Sequence, residues 1–259
     1  MSTARGEFSS RFGFLMAATG SAVGLGNIWG FPTNAASNGG AAFLFTYLIL
    51  AFVLAYPALM AELIIGRHAK ANAVTALRGL ASSPGIAKVG AGVGFAGMVT
   101  VTLILSFYAI VSGWMLAFMS AAVADIARLE SASTWLVQSG TVRDALFTVI
   151  FYLLTIYIVV AGVRNGIEKW SSRLMPSLYL ILIALIIYVL TLDGAMQGLR
   201  MYLVPDFSRV ADPELLLSAM GQAFFSLSLG VGTMLIYGSY VSKKENLPAI
   251  GGMVTLMDI

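Results

Sequence analysis

Apolar residues fall along this chain in blocks long enough to cross a membrane. One block runs from Phe12 to about Ala36, and a second from about Ala42 to Gly66. A third runs from Gly85 to Ala122, a fourth from about Ala145 to Val163, and a fifth from about Leu174 to Leu192. A sixth ends near Tyr240, and a seventh begins near Pro248 and continues to Ile259. A helix of about 20 apolar residues spans the hydrocarbon of a bilayer. The pattern predicts an all-α polytopic membrane protein.

Two blocks are interrupted at mid-depth. Gly20-Ser21-Ala22-Val23-Gly24-Leu25-Gly26-Asn27 places three glycines, a serine and an asparagine inside the first. Phe225-Ser226-Leu227-Ser228-Leu229-Gly230-Val231-Gly232 places two glycines and two serines inside the sixth. Glycine raises the cost of a continuous helix and lets backbone approach a ligand closely. Unwound backbone survives in hydrocarbon only where it lines a protein cavity. The first stretch therefore reads as a helix broken over a site. Close packing through small residues is the alternative, and composition alone does not separate the two.

Polar stretches separate the blocks. Residues 1–10 form a tail with Arg5 and Phe8, and Asn38-Gly39-Gly40 reads as a turn. Arg67 to Lys88 is a basic loop, residues 123–143 a mixed connector, and Arg164 to Ser172 a short loop. Asp193 to Pro213 is a further connector, with Pro213-Glu214 as a helix start. With the N-terminus inside, eleven Lys and Arg residues face the cytoplasm: Arg5, Arg11, Arg67, Lys70, Arg78, Lys88, Arg164, Lys169, Arg173, Lys243 and Lys244. Only Arg128, Arg143, Arg200 and Arg209 face out. The positive-inside bias sets that orientation.

Composition narrows the chemistry. Charged residues make up 10% of the 259 residues, far below a soluble domain. There is no cysteine, so disulfides and thiol chemistry are excluded. The single histidine, His68, lies in the basic loop and reads as a solvated residue, so no transition-metal set exists. The net charge of +3 is dispersed between spans and gives no nucleic-acid signal. The first apolar block is too long for the core of a signal peptide. No GxxxxGK[ST] loop is present, which argues against an ATP-driven protein.

A helix broken at the midplane exposes carbonyls at one half-end and N–H groups at the other. Carbonyls can coordinate a small cation, and the N–H groups can hold a carboxylate. Asn27, Ser226 and Asp258 add oxygens for a hard cation; sodium fits, and potassium fits the same chemistry. An acid within a span reads as functional, although Asp258 could instead lie near the cytoplasmic interface. Glu62 reads as a structural hydrogen-bonding group. Tyr108 could donate to a substrate carboxylate or to a neighbouring helix. Ile104, Phe225 and Val231 read equally well as plain core.

Several motifs in their order along the chain resemble the sodium-coupled neurotransmitter symporter family, in its bacterial amino acid branch. They are Ala22-Val23-Gly24-Leu25-Gly26-Asn27 with Phe31-Pro32, and Asn38-Gly39-Gly40-Ala41-Ala42-Phe43. Glu62-Leu63-Ile64-Ile65-Gly66-Arg67 and Gly221-Gln222-Ala223-Phe224-Phe225-Ser226-Leu227-Ser228-Leu229-Gly230 complete the set. The resemblance implies a leucine-transporter-type fold of two inverted five-helix repeats. On that scheme residues 11–192 form the first repeat, with its first helix broken near 21–26. Residues 193–213 are an outer connector, 214–240 a sixth helix broken near 226–232, and 248–259 the start of a seventh. The rest of the second repeat is absent from this sequence, and the 259-residue product alone is not expected to perform coupled transport.

The resemblance also implies roles. One sodium site is similar to the set Ala22, Asn27, Ser226 and Asp258, and a second would use the carbonyls of Gly20 and Val23. A substrate carboxylate would meet the Gly26 backbone and Tyr108. Ala22, Gly24, Leu25, Ile104, Phe225, Ser226, Ser228 and Val231 would line the rest of the substrate site. Gly24 stands where amine-transporting relatives place an Asp, which favours amino acid substrates. Arg5, Gln222 and Tyr240 match gate positions, whereas Gly30 replaces the usual outer-gate Arg and Phe8 a common Trp. Tyr47, Gln222 and Ser226 resemble part of a chloride site, and chloride dependence stays open. The expected function is sodium-coupled uptake of a neutral, apolar or aromatic amino acid, with no enzymatic step. The alternative is a non-transporting truncated remnant or fragment. The expected setting is the bacterial cytoplasmic membrane, N-terminus inside, with a homodimer allowed and no nucleic acid.

Overall fold

The computed structural model describes residues 8–204 and 206–259, and all regular structure among them is helical. The first span is two helices. α1 (Arg11–Ala22) starts where the Ser10 hydroxyl accepts the Gly13 N–H, an N-cap. A π-helical stretch at Gly26–Gly30 leads into α2 (Phe31–Ser37), and the two halves meet at 52°. The glycines at the interruption thus mark a break.

The second span, Ala41–Ala69, joins α3 (Ala41–Leu50) to α4 (Tyr56–Ala69) through a π-helical turn at Ala51–Ala55. Short α5 (Ala73–Gly79) follows in the basic loop. α6 (Pro84–Ile126) has 43 residues. At about 1.5 Å per residue it is roughly twice the length a bilayer core demands. α7 (Glu130–Val137) precedes α8 (Thr141–Val160), and a third π-helical stretch, Val163–Glu168, continues into α9 (Lys169–Leu190). α10 (Ala195–Leu203) is a surface helix with no buried residue.

α11 (Pro213–Ser226) starts on the Asp212 cap and ends at Ser226. Residues 227–232 turn through positive φ at Ser228, Gly230 and Gly232 before α12 (Thr233–Gly238) resumes. α13 (Leu247–Asp258) starts on the Asn246 side chain, which accepts the Ala249 N–H.

The chain divides into two compact units. The first takes residues up to Gly97 and Glu168–Ile259. Its core joins Phe14, Phe43, Leu59, Leu63, Met175, Ala219, Leu227, Met234 and Ile250. α12 packs on α4, α11 on α3, and α13 on both α1 and α4. Gly66 and Gly238 allow the α4–α12 contact: a Cβ on Gly238 would lie 2.6 Å from the Leu63 carbonyl oxygen. Glu62 on α4 secures the same pair. Its carboxylate accepts the Gly230 N–H at 2.7 Å and the Leu235 N–H at 3.1 Å. These donors belong to the turn and the first turn of α12, where a negative charge also suits the helix dipole.

The second unit, Met98–Ile167, holds most of α6 with α7 and α8. Gly113 lets α6 approach α8, since its Cβ would lie 2.8 Å from the Thr148 nitrogen. Arg143 is buried and donates to the carbonyls of Leu136 and Val137 at the end of α7. It pairs with Asp144 and lies over the Phe118 ring. A buried guanidinium needs such a set of acceptors, and here they close the C-terminus of a short helix.

Candidate functional site

Three polar side chains meet where the first break faces the ends of α11 and α13. Asn27 donates from Nδ2 to Ser226 Oγ at 2.7 Å and to Asp258 Oδ1 at 2.9 Å. The same nitrogen lies 3.2 Å from the Asp258 carbonyl oxygen. Ser226 in turn donates to Asp258 Oδ2 at 2.7 Å. Ser226 and Asp258 are buried. The Asn27 Oδ1 atom accepts the Gly24 N–H at 3.1 Å, which holds the amide to its own loop.

Among the described residues, the side-chain hydrogen-bond partners of the Asp258 carboxylate, Asn27 and Ser226, are neutral. A buried carboxylate whose neighbours carry no positive charge is costly, and a bound cation relieves that cost. Turned over, the Asn27 amide would complete an all-oxygen set, at the cost of the bond it accepts from the Gly24 N–H. Such a set suits a hard cation.

The backbone before this cluster belongs to the same break. Ala22 ends α1 and is buried, and the Val23 N–H closes the helix on the Thr19 carbonyl at 2.7 Å. Gly20 lies against α9: a Cβ there would meet Met175 at 3.3 Å and Ser171 at 3.7 Å. α13 is held at its end by α9, where the Tyr179 hydroxyl donates to the Met257 carbonyl at 2.7 Å.

A cavity of about 380 Å³ adjoins the break, lined by Gly26, Gly30, Asn34, Ser218, Gln222 and Phe225 among others. Gln222 and Phe225 stand one helical turn apart on α11, so both reach the same spot. Gln222 donates from Nε2 to the Gly26 carbonyl at 3.1 Å. The Phe225 ring covers the Gly26 Cα, and a Cβ there would lie 2.6 Å from Cε1. The Gln222 oxygen accepts the Asn34 amide at 2.9 Å.

The two breaks touch directly. Ser228 has φ of 54° and donates its hydroxyl to the Ser21 carbonyl at 3.1 Å. A side-chain residue in the left-handed region is unusual, and here the hydrogen bond offsets the strain. Val231 passes α6 closely, since a Cβ on Gly97 would lie 3.0 Å from its carbonyl oxygen. Gly24 and Leu25 lie half-buried between the helix end and the π-helical stretch. Ile104 and Tyr108 lie on α6 in the second unit, where the Tyr108 and Phe107 rings meet edge-on at 6.0 Å.

Tyr47 is buried beside Phe31 and Phe43, and its hydroxyl faces Ser226 and the Asp258 carboxylate. Tyr240 packs edge-on against Phe8, which also meets Phe14 and Tyr237. Arg5 lies outside the described residues.

Two polar groups carry no role in the sequence reading. Asn34 is one, through its bond to Gln222. Glu168 is the other: it is buried and accepts the Ser9 N–H at 2.8 Å and the hydroxyls of Ser9 and Ser10. Ser10 before a helix is a legible cap, but nothing in the pattern points to a carboxylate 158 residues away.

A model of the sodium:neurotransmitter symporter family matches residues 5–136 and 125–258. A protein of Bacillus subtilis (strain 168) described as the uncharacterized sodium-dependent transporter YhdH is 38% identical over 258 residues. The match takes in 98% of this chain and 56% of that protein. The bovine sodium- and chloride-dependent GABA transporter 2 is 28% identical, over 93% of this chain and 46% of its own length. The crystal structure of MhsT in complex with L-phenylalanine superposes with a TM-score of 0.82 at 38% identity. That match covers 98% of this chain and 58% of MhsT. The chain spans about half the length of the curated relatives it matches.

Proposed function

This chain belongs to the sodium:neurotransmitter symporter family, and we propose that it carries the ion and substrate sites of a sodium-coupled amino acid symporter. The observation that carries the reading is the Asn27–Ser226–Asp258 cluster. It sets a buried carboxylate among neutral oxygen-bearing partners at a broken helix. Among the described residues Asp258 has no cationic hydrogen-bond partner, and sodium takes that place, with Asn27, Ser226 and the Ala22 carbonyl as further ligands. A second sodium is held by the carbonyls of Gly20 and Val23.

The substrate is a neutral amino acid with an apolar or aromatic side chain. Its carboxylate meets the Gly26 backbone, and its side chain lies among Gly24, Leu25, Phe225, Ser228 and Val231. The family resemblance assigns Tyr108 to the carboxylate and Ile104 to the side chain. None of these residues is charged, so a charged side chain would be buried without a partner. The L-phenylalanine complex of MhsT supports this class. Gln222 and Tyr240 act at the outer and inner ends of the path, and the resemblance adds Arg5 as a further gate residue. The chain sits as a multi-pass protein in the bacterial cytoplasmic membrane, N-terminus inside, and a homodimer is compatible with it. Inward sodium flow drives uptake, and no covalent step is involved.

Proteoliposomes holding the full-length gene product, with an inward sodium gradient, test the reading. Concentrative uptake of labelled L-phenylalanine is expected, and collapse of the gradient should abolish it. Uptake that ignores sodium would refute the coupling.

A further inference from the structure

We infer that Asn34 is a positioning residue: it orients the Gln222 amide, and through it fixes the Gly26 carbonyl at the wall of the cavity. A carbonyl oxygen can only accept, so Gln222 must present its NH2 group to Gly26. The Gln222 oxygen then points the other way, and it is buried with the rest of the side chain, 5% exposed. It needs a donor, and the Asn34 NH2 group supplies one at 2.9 Å. The order of donors is therefore compelled. An acceptor at position 34 would turn the Gln222 amide over and set its oxygen against the Gly26 oxygen.

The Gly26 oxygen already accepts one backbone bond, from Phe31 N–H, five residues on. That bond is what makes Gly26–Gly30 π-helical, a form that persists where other contacts hold the extra residue. Gln222 takes the second lone pair. The Gly26 carbonyl also shares one planar peptide unit with the Asn27 N–H, which donates to Gly24 at 3.1 Å. Tilting that plane moves Asn27, whose side chain meets Ser226 and Asp258. One line of hydrogen bonds thus runs from the cavity wall to the proposed ion cluster, and Asn34 is its outer end. At position 30, beside it, stands a glycine, so the line is uncharged where the cavity opens.

The binding part of the test rests on the symporter reading, whereas the exchange part does not. In the full-length gene product, Asn34→Asp removes the donor, Asn34→Leu removes it without adding charge, and Asn34→Gln keeps it. Hydrogen–deuterium exchange over residues 24–31 is read in detergent with sodium, beside the affinity for labelled L-phenylalanine. Asp and Leu should speed exchange about tenfold and weaken binding about tenfold, with Gln within about twofold of wild type on both. Wild-type exchange in the Asp or Leu variant would overturn the inference. So would a Gln variant as impaired as Asp, which would make bulk at position 34 the cause rather than a donated proton. If Asp fails to fold, Leu and Gln decide between them. If the wild type does not bind L-phenylalanine, the proposed substrate class fails and exchange alone decides on Asn34.

Discussion

Phe225 lies against Gly26 so closely that a methyl group on residue 26 would stand 2.6 Å from the ring. The ring must swing away for any larger residue to fit. We therefore expect Gly26→Ala to weaken L-phenylalanine binding about tenfold, and Phe225→Leu in the same chain to recover part of the loss. Unchanged binding in Gly26→Ala would show that the ring does not bear on the site.

Asn27→Ala should raise the sodium midpoint for substrate binding about tenfold or more. The substitution removes one oxygen ligand and leaves Asp258 with Ser226 as its remaining side-chain partner. Titration of sodium against bound labelled substrate checks it, and an unmoved midpoint would sink the assignment.

Glu62→Gln should destabilise the α4–α12 contact by about 1–3 kcal/mol. Both carboxylate oxygens accept backbone N–H groups, and an amide can present an oxygen to only one of them. Thermal melting in detergent reads the loss; a melt equal to wild type would mean the two N–H groups find other acceptors.

Uptake of labelled L-phenylalanine should be inhibited by unlabelled leucine or tryptophan, and not by lysine or glutamate. Burying an unpaired charged side chain costs several kcal/mol, enough to separate the two groups by about 100-fold or more. Preferred competition by lysine would refute the uncharged pocket.

The helical membrane fold was legible because a span needs a run of apolar residues, and the runs are plain in the chain. The glycines at 20–27 left two readings, and the 52° bend between α1 and the segment that follows decides for a break. Asn27, Ser226 and Asp258 were legible as oxygen donors for a hard cation, and the resemblance grouped them with Ala22; the structure brings the three side chains within hydrogen-bonding distance. Their meeting depends on contacts up to 231 residues apart, which no local pattern encodes. Asn34 and Glu168 were missed for the same reason. Each reads locally as an ordinary polar residue beside a helix end, and each gains its role from a partner on a distant element. The π-helical turns at Ala51–Ala55 and Val163–Glu168 carry no compositional signature either.

The peptide unit between Gly26 and Asn27 has its carbonyl in the cavity wall and its following side chain in the carboxylate cluster. On the proposed reading, a rigid plane with one end in each site would couple their occupancies. Linkage would then demand reciprocity: whatever factor sodium adds to the affinity for the amino acid, the amino acid would add to the affinity for sodium.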